Sequence, residues 1–515
     1  MERVVRAWGG VAVTLVLACA PWAARGAAPA PEPAPHAGDG WGEADDPTGD
    51  PDGAEGDDFD FGDADGSDDA SSPDDAPAVP PPPSPWALTG TLRSDWALWV
   101  ERLDANPFAK GRQSVDLVLS YRAGIFRLRA AGHAEYDLAY LVDRSTYGQP
   151  TLDAYEWLLN TRDVLVALSP GDFEITLGRQ IVAWGEGDTL SPLDVVNPRD
   201  LREPGLSDLD DLRLPVLATR VAWFHGAHRV EVMAIHEADY GYRSPPLGPF
   251  SPFRAAILAN PVAATLLDGK ALRYDHAPAR FSAEGQQLLG RWLMHGAGVD
   301  LGAYAAWVLD RQGVLAQPDL AAALTATEIA LPLEHLRYGV LGTSGAVPLS
   351  TSGFVLKWEA GLELGRPVNT GTVDPLALRI ERADLLQTML GLTWKGSGAL
   401  SDLLVAVEAA KPVFMGAGGR PKELLFDMDD PMFAVRATYD LLSQRLHLLL
   451  AWSMVGWQAD QGWLLRGQAA YDLIDALSLT AGFMTYQPGD ELGLLSGLDR
   501  HDRVFLRLRW DFQVL

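Results

Sequence analysis

From Trp86 to Leu515, apolar and polar residues alternate in segments of about ten, separated by turn residues. A period of two over that length is the pattern of transmembrane β-strands. In the last segment Val504, Leu506, Leu508, Trp510, Phe512 and Val514 share one face, and Arg503, Arg507, Arg509, Asp511 and Gln513 share the other. Phe126, Leu128, Ala130, Ala134, Tyr136 and Leu138 likewise oppose Arg127, Arg129, His133, Glu135 and Asp137. Leu356, Trp358, Ala360, Leu362 and Leu364 oppose Lys357, Glu359 and Glu363, and Leu446, Leu448, Leu450, Trp452 and Met454 oppose Arg445, His447 and Ser453.

A soluble β-sandwich also alternates. Three features separate this chain from one. The polar face carries both charge signs densely, the apolar runs reach five or six positions, and short connections alternate with long ones. Short turns are expected at 169–172, 225–228, 295–298, 348–353, 395–398, 441–445 and 473–475. Long connections are expected near 185–215, 239–284, 310–335, 366–384, 412–431 and 488–502. Short turns at one end and long loops at the other describe an outer-membrane barrel. Counting under that rule gives an all-β, transmembrane antiparallel β-barrel of about 18 strands, with 16 as the alternative. An even count puts both chain ends in the periplasm. The chain closes on Phe512-Gln-Val-Leu515 rather than on an aromatic residue, a departure from the usual signal read by the barrel assembly machinery. Outer-membrane lipid is the other partner such a wall requires.

The region before Trp86 differs. Arg3 and Arg6 precede a short apolar core, Val11–Ala18, and then small residues, so residues 1–26 form a signal peptide with cleavage after Gly26 or Ala28. Val16-Leu17-Ala18-Cys19 offers a lipoprotein cleavage box as the rival. Residues 27–85 form a disordered, acidic and Pro-rich periplasmic segment. Residues 31–80 hold 17 acidic residues and no Lys or Arg, too polar to offset the entropy of ordering. Asp63, Asp65, Asp68 and Asp69 echo a calcium loop, but position 74 is Asp where an EF-hand needs Glu. The barrel is residues 86–515.

Composition narrows the function classes. The net charge of −28 argues against nucleic acid as a partner. The single cysteine excludes a disulfide framework and Cys-based zinc sites. No HExxH, GxSxG, P-loop or dinucleotide fingerprint occurs, so no enzyme, cofactor or metal is expected. His133 and His447 read as lumen residues.

The most informative stretch is GRQIVAWGEGDTLSPLDVVNPRDLREPG, 178–205. Strict alternation aims Arg179 at lipid, so either Gly178 marks a bulge that turns it inward, the preferred reading, or Arg179 sits near the rim. Trp184 is then an aromatic-belt residue closing the strand. The polar loop that follows carries Glu186, Asp188, Asp194, Asn197, Arg199, Asp200, Arg202, Glu203, Asp208, Asp210, Asp211 and Arg213, stiffened by Pro192 and Pro198. It either folds into the lumen, bonded to wall residues such as Arg127, Arg129 and Glu359, or lies on the surface as a solvated loop. Residues 246–269 read as a short helix at the barrel mouth, touching lipid or cargo or packed on its neighbours.

GRQ-x₃-WGEGD with LDVVNPRDLRE resembles the Gram-negative outer-membrane barrel family catalogued as domain of unknown function 1302. HLRYGVLGTSGAVPLSTSGFVLKWEAGLELG, 335–365, is similar to that family's middle strands, where a glutamate matches Glu359. The resemblance covers roughly 150 to 514. It implies a barrel in the outer membrane that works with resistance-nodulation-division type pumps and a periplasmic carrier in moving hydrophobic or lipid-like molecules. Arg179, Gln180, Trp184, Glu186, Asn197 and Pro198 are the positions carried over, as fold-maintaining or cargo-contacting residues.

The functional expectation is a conduit or receiver whose lumen is narrowed by 185–215. Its lumen and constriction candidates are Arg127, Arg129, Glu135, Arg179, Gln180, Glu186, Asp194, Asn197, Arg199, Glu359, Arg507 and Arg509. The alternatives are a general or anion-preferring porin, with Arg127, Arg129, Arg503, Arg507 and Arg509 as a positive stripe, and a surface-structural or assembly protein using the acidic tail as a docking arm.

Overall fold

The computed structural model describes residues 84–514, apart from 102–105, 143, 206–208, 260, 297, 318–325, 350–352, 371–378, 417–420 and 424–425. The expected signal peptide, the Cys19 box and the calcium-like run lie outside the described residues, as does the acidic segment up to residue 83.

Eighteen antiparallel strands form a closed wall. They are β1 (Trp86–Trp99), β2 (Phe108–Ala123), β3 (Phe126–Asp137), β4 (Trp157–Leu168), β5 (Phe173–Gln180) and β6 (Val216–His225). Next come β7 (His228–Ile235), β8 (Gln287–Gly296), β9 (Val299–Leu309), β10 (Arg337–Leu349), β11 (Phe354–Thr370) and β12 (Arg379–Lys395). The ring is completed by β13 (Leu403–Met415), β14 (Met432–Leu441), β15 (Leu446–Val455), β16 (Gly462–Ile474), β17 (Leu477–Gln487) and β18 (Arg503–Gln513). Two two-residue strands, Lys422–Glu423 and Phe426–Asp427, extend the sheet at one rim. Closure is made by β1 and β18, in register from Thr89 opposite Gln513 to Trp99 opposite Arg503. Every wall strand therefore has two neighbours, and no edge is left to aggregate.

The wall is inverted relative to a soluble protein. Leu177, Val232, Leu288, Leu341, Leu390 and Leu506 point outward and are exposed, while Thr176, Arg220, Glu231, Ser344 and Glu359 point inward and are almost fully buried. Apolar residues outside and hydrogen-bonded charge inside make sense only with hydrocarbon as the outer solvent. Exposed tryptophans fall in two bands. Trp86, Trp223 and Trp510 lie toward the short-turn end, and Trp96, Trp157 and Trp307 toward the long-loop end. These are the interfacial girdles of a membrane barrel.

The connections alternate as the turn residues implied. One further short turn, Gly124–Ile125 between β2 and β3, carries Gly124 at φ +55° and had no strong turn signature. The wall strands run further than expected at 366–384, where β11 continues to Thr370 and β12 begins at Arg379. The connection there is correspondingly shorter.

The long loops pack together over one mouth. Residues 246–269 contain helices Pro252–Ala259 and Pro261–Leu267. Phe253 is buried against Leu315 and Leu333, and Phe250 against Trp99, Tyr155 and Leu498, so this segment packs on its neighbouring loops. Ala271–Ala277 runs parallel to Glu328–Glu334 and ties two of the loops together.

Candidate functional site

The loop between β5 and β6, residues 181–215, folds into the lumen. It crosses from β5 to β11 and β13 on the far wall, where two glutamates receive it. Glu359 of β11 accepts from the backbone N–H groups of Glu186 (2.7 Å), Gly187 (2.8 Å) and Leu193 (3.0 Å), and from the Ser191 hydroxyl (3.0 Å). Glu408 of β13 accepts from the backbone N–H groups of Asp188 (2.5 Å), Thr189 (2.9 Å) and Leu190 (2.7 Å). Six successive or nearly successive amides of an irregular segment are thus satisfied by two carboxylates. Such charge-assisted bonds are about twice as strong as neutral ones. An irregular backbone at this depth is tolerable because each of those donors finds an acceptor.

The WGEGD motif is explained by this docking. Gly185 adopts φ +89°, and a Cβ there would collide with Ser191 Oγ and with the Glu359 carboxylate. A Cβ on Gly187 would strike the Leu190 carbonyl. Only glycine lets the backbone approach Glu359 so closely. Side chains add to the seat: Lys357 meets Asp188 at 2.9 Å, and Ser344 donates to Glu186 at 3.3 Å.

The two ends of the loop are clamped by Asn197. Its Oδ1 accepts from Val182 N at 2.8 Å, and its Nδ2 donates to the carbonyls of Leu214 at 2.7 Å and Gln180 at 3.3 Å. Asp194 joins the limbs by accepting from Arg199 (3.0 Å) and Arg213 (2.9 Å). Beneath lies an apolar cluster of Val182, Trp184, Leu193, Val196, Val216 and Val340.

Three expectations are corrected. Trp184 does not sit in the lipid-facing girdle: the strand ends at Gln180, and the indole is buried against Tyr304 inside the barrel, under the Arg291 guanidinium. Three non-strand residues, 181–183, carry it into the lumen rather than to the interface. Gly178 makes no bulge, since β5 pairs with β6 in unbroken register through Gly178 and Arg179. Arg179 keeps its outward parity and is satisfied at the rim by the Pro215 carbonyl (2.8 Å), Glu237 (3.3 Å) and Asp239 (3.5 Å). Gly178 is needed for another reason: at φ +134°, a Cβ would clash with the Val164 carbonyl. Third, Arg127 and Arg129 do not hold the loop. Arg127 pairs with Glu174, and Arg129 with Asp163 at 3.5 Å, both toward the short-turn end.

The opposite side of the lumen, along β1–β4 and β18, is lined by ion pairs. Arg202 reaches from the loop to Glu135 (3.1 Å) and Asp200 (2.7 Å), and Glu203 meets Lys110 and, at 3.6 Å, Arg112. Burial pushes the Glu203 carboxyl up, but Lys110, Arg112 and Arg503 outweigh it and hold the group down to about 2. Arg93 bridges Asp116 (2.7 Å) and Asp211 (2.6 Å), and Arg507 pairs with Asp95. His133 lies between Asp116 at 2.7 Å and Glu135 at 3.2 Å. These groups surround an inner cavity of about 80 Å³. Above it, at the loop-covered mouth, is a second cavity of about 400 Å³. The two share Leu158, Arg202 and Tyr242 in their walls.

Of the expected lumen residues, the structure gathers Gln180, Glu186, Asp194, Asn197, Arg199 and Glu359 around the infolded loop. It places Glu135 and Arg507 on the inner cavity. Arg179 is at the rim. Arg127, Arg129 and Arg509 lie apart from the constriction, Arg509 pairing with Asp511 at 2.9 Å. Glu408, Lys110 and Arg112 were not singled out from the sequence. The available signal was a charged residue at inward parity, which for Glu408 stands alone within LLVAVEAA. Among the described residues no group of three or more His, Cys, Asp or Glu is arranged to hold a metal ion.

A closed wall with lipid-facing leucines, two tryptophan bands and a lumen crossed by its own loop defines a transmembrane antiparallel β-barrel of the outer-membrane type. The chain belongs to the family described as "Protein of unknown function (DUF1302)", whose profile matches residues 108–417. It is similar in fold to the crystal structure of Acinetobacter baumannii OccAB3, at 11% identity and a TM-score of 0.45, covering 83% of this chain and 99% of that one. Similar likeness is found to Pseudomonas aeruginosa OccK2 (OpdF) in complex with glucuronate, at 11% identity and a TM-score of 0.44 over 84% and 98% of the two chains. Pseudomonas aeruginosa OpdL gives 12% identity and a TM-score of 0.45 over 84% and 99%. No curated protein matches the chain.

Proposed function

We propose that this barrel is an outer-membrane conduit for amphipathic or lipid-like molecules, kept narrow by residues 185–215. The observation that carries the reading is the docking of the loop backbone on Glu359 and Glu408. It closes the β10–β13 side of the lumen and leaves passage to the β1–β4 side. In a Gram-negative cell the N-terminal segment then lies in the periplasm, where a carrier or a resistance-nodulation-division type pump would meet the barrel.

A general porin is the second reading, favoured by the inner cavity, where both charge signs face water and a small polar solute would be hydrated. An anion-selective ladder fits less well, because Arg127, Arg507 and Arg509 each face a carboxylate. Planar-bilayer conductance separates the two readings. A narrowed conduit gives small, infrequent openings in the intact protein and large steady ones when 185–215 is replaced by a short linker. Large steady conductance in the intact protein would favour the porin.

A further inference from the structure

The 400 Å³ cavity at the long-loop mouth is large enough to hold a small organic ligand, by comparison with pockets of about 300–1,000 Å³. Its walls are of two kinds. Pro150, Leu158, Pro245, Pro246 and Tyr274 present apolar surface. Arg243 supplies charge: its guanidinium lies 5.5 Å from the Tyr274 ring centroid and donates to the Arg311 carbonyl at 3.2 Å. No carboxylate pairs with Arg243 among the described residues. The other cations of the cavity are matched. Arg202 is taken by Asp200 and Glu135, and Arg273 by Glu328.

The surroundings of Arg243 add to its positive field. Arg311, next to it, is satisfied by the backbone carbonyls of Asp239, Val195 and Val196, so its charge is not cancelled by an acid in contact. His276, also in the wall, is held neutral, burial and then Arg243 pulling it down to about 4. Asp153, the one acid of the cavity without a cation on it, is at the exposed rim and takes the Gln149 amide at 2.6 Å. The cavity is therefore cationic within and acidic only at its lip.

We propose that this mouth cavity is a binding site for an amphipathic monocarboxylate, its carboxylate on Arg243 and its apolar body against Tyr274, Pro245 and Pro246. A guanidinium stacked on an aromatic ring keeps its edge N–H groups free for a bidentate contact with a carboxylate. The shared wall at Leu158, Arg202 and Tyr242 places the site directly above the inner cavity. The site thus names a cargo class for the conduit reading and rests on that reading for its role, though not for its existence.

Equilibrium binding tests it without any need for transport. The full-length barrel in lipid nanodiscs is titrated calorimetrically with phenylbutyrate, phenylbutanol and phenylbutylamine, with empty nanodiscs as the blank. The carboxylate is expected to bind at least about tenfold more tightly than the alcohol or the amine, the value of one charge-assisted bidentate contact. Arg243→Gln should remove that preference, Tyr274→Ala should weaken all three ligands, and Arg509→Gln, at the short-turn end of the barrel, should leave affinities unchanged. Heat-modifiable migration of each variant on gels shows that the barrel is folded. Equal affinity for the three ligands, unaltered preference in Arg243→Gln, or no binding of the carboxylate to a folded barrel would overturn the proposal. Binding without conduction in any variant would leave the site standing and remove the conduit.

Discussion

The two sides of this lumen use charge in opposite ways. On the β11–β13 side, Glu359 and Glu408 have no guanidinium partner among the described residues; they are consumed by seven donors of a loop, six of them backbone amides. On the β1–β4 side, carboxylates and guanidinium groups match one another, and a cavity remains between them. Lone acids at inward positions seat a polypeptide, while alternating acids and bases brace a wall that stays wet. One strand pattern, polar inside and apolar outside, thus seats a loop on one side and leaves a small cavity on the other.

Breaking the plug side should have the largest effect. Gly185→Val combines a disfavoured φ with a collision on Glu359 and Ser191, and should cost the seated loop about 3 kcal/mol or more. The expected result is rapid protease cleavage within 185–195 in a barrel that still migrates as folded. Glu359→Gln with Glu408→Gln keeps the side-chain shape but removes the charge and replaces one of the two accepting oxygens of each residue with an NH2 donor. It should weaken the seat by about 1–3 kcal/mol and raise the frequency of channel openings. Glu359→Gln and Glu408→Gln separately should each give a smaller rise.

The loop-covered mouth should respond to acid. His276 Nδ1 and His335 Nε2 are 2.8 Å apart, and His335 Nδ1 faces the Asp310 carbonyl at 2.7 Å. Burial lowers both, His276 to about 4 and His335 to about 3. An unfolded histidine takes up its proton near about 6.5, so the unfolded loop binds more protons than the folded one below that pH. Loop stability is therefore full above about pH 6.5 and falls as pH drops toward 4. Hydrogen exchange over 271–277 and 328–335 should accelerate between pH 7 and pH 4.5, and the rest of the wall should not follow. The smallest effect is expected on the matched side: removing the pair together, Arg507→Gln with Asp95→Asn, should barely change reversal potential, because the two charges offset each other. A strong shift toward cation selectivity there would restore the arginine-stripe porin.

Much of the fold was legible because a barrel writes its wall into a period of two. Strand number, inward and outward faces and the alternation of short and long connections all follow from local pattern and turn chemistry. The Leu446–Val455 and Arg503–Gln513 segments show it most plainly. The infolded loop was half legible. Its matched charges and the glycines of WGEGD marked it, yet its acceptor Glu408 lies far along the chain, and only ring closure brings it near Asp188. Trp184 was misread because strict alternation was carried past Gln180, where the strand stops and the chain turns inward, and Arg179 because a bulge was inferred at Gly178 where the alternation in fact continues to the rim. The Lys110, Arg112, Glu203 and Glu135 network depends on the β2–β3 register, in which Arg112 stands opposite Asp137, and no local signal sets that pairing beside the loop.

The most direct test of the account is single-channel conductance of the intact barrel beside a variant with 185–215 replaced by a short linker, both shown to be folded. The account predicts small, rare openings in the intact protein and a several-fold larger, steady conductance in the variant. Equal conductance in the two would contradict it, since the loop held by Glu359 and Glu408 would then not be what limits the lumen.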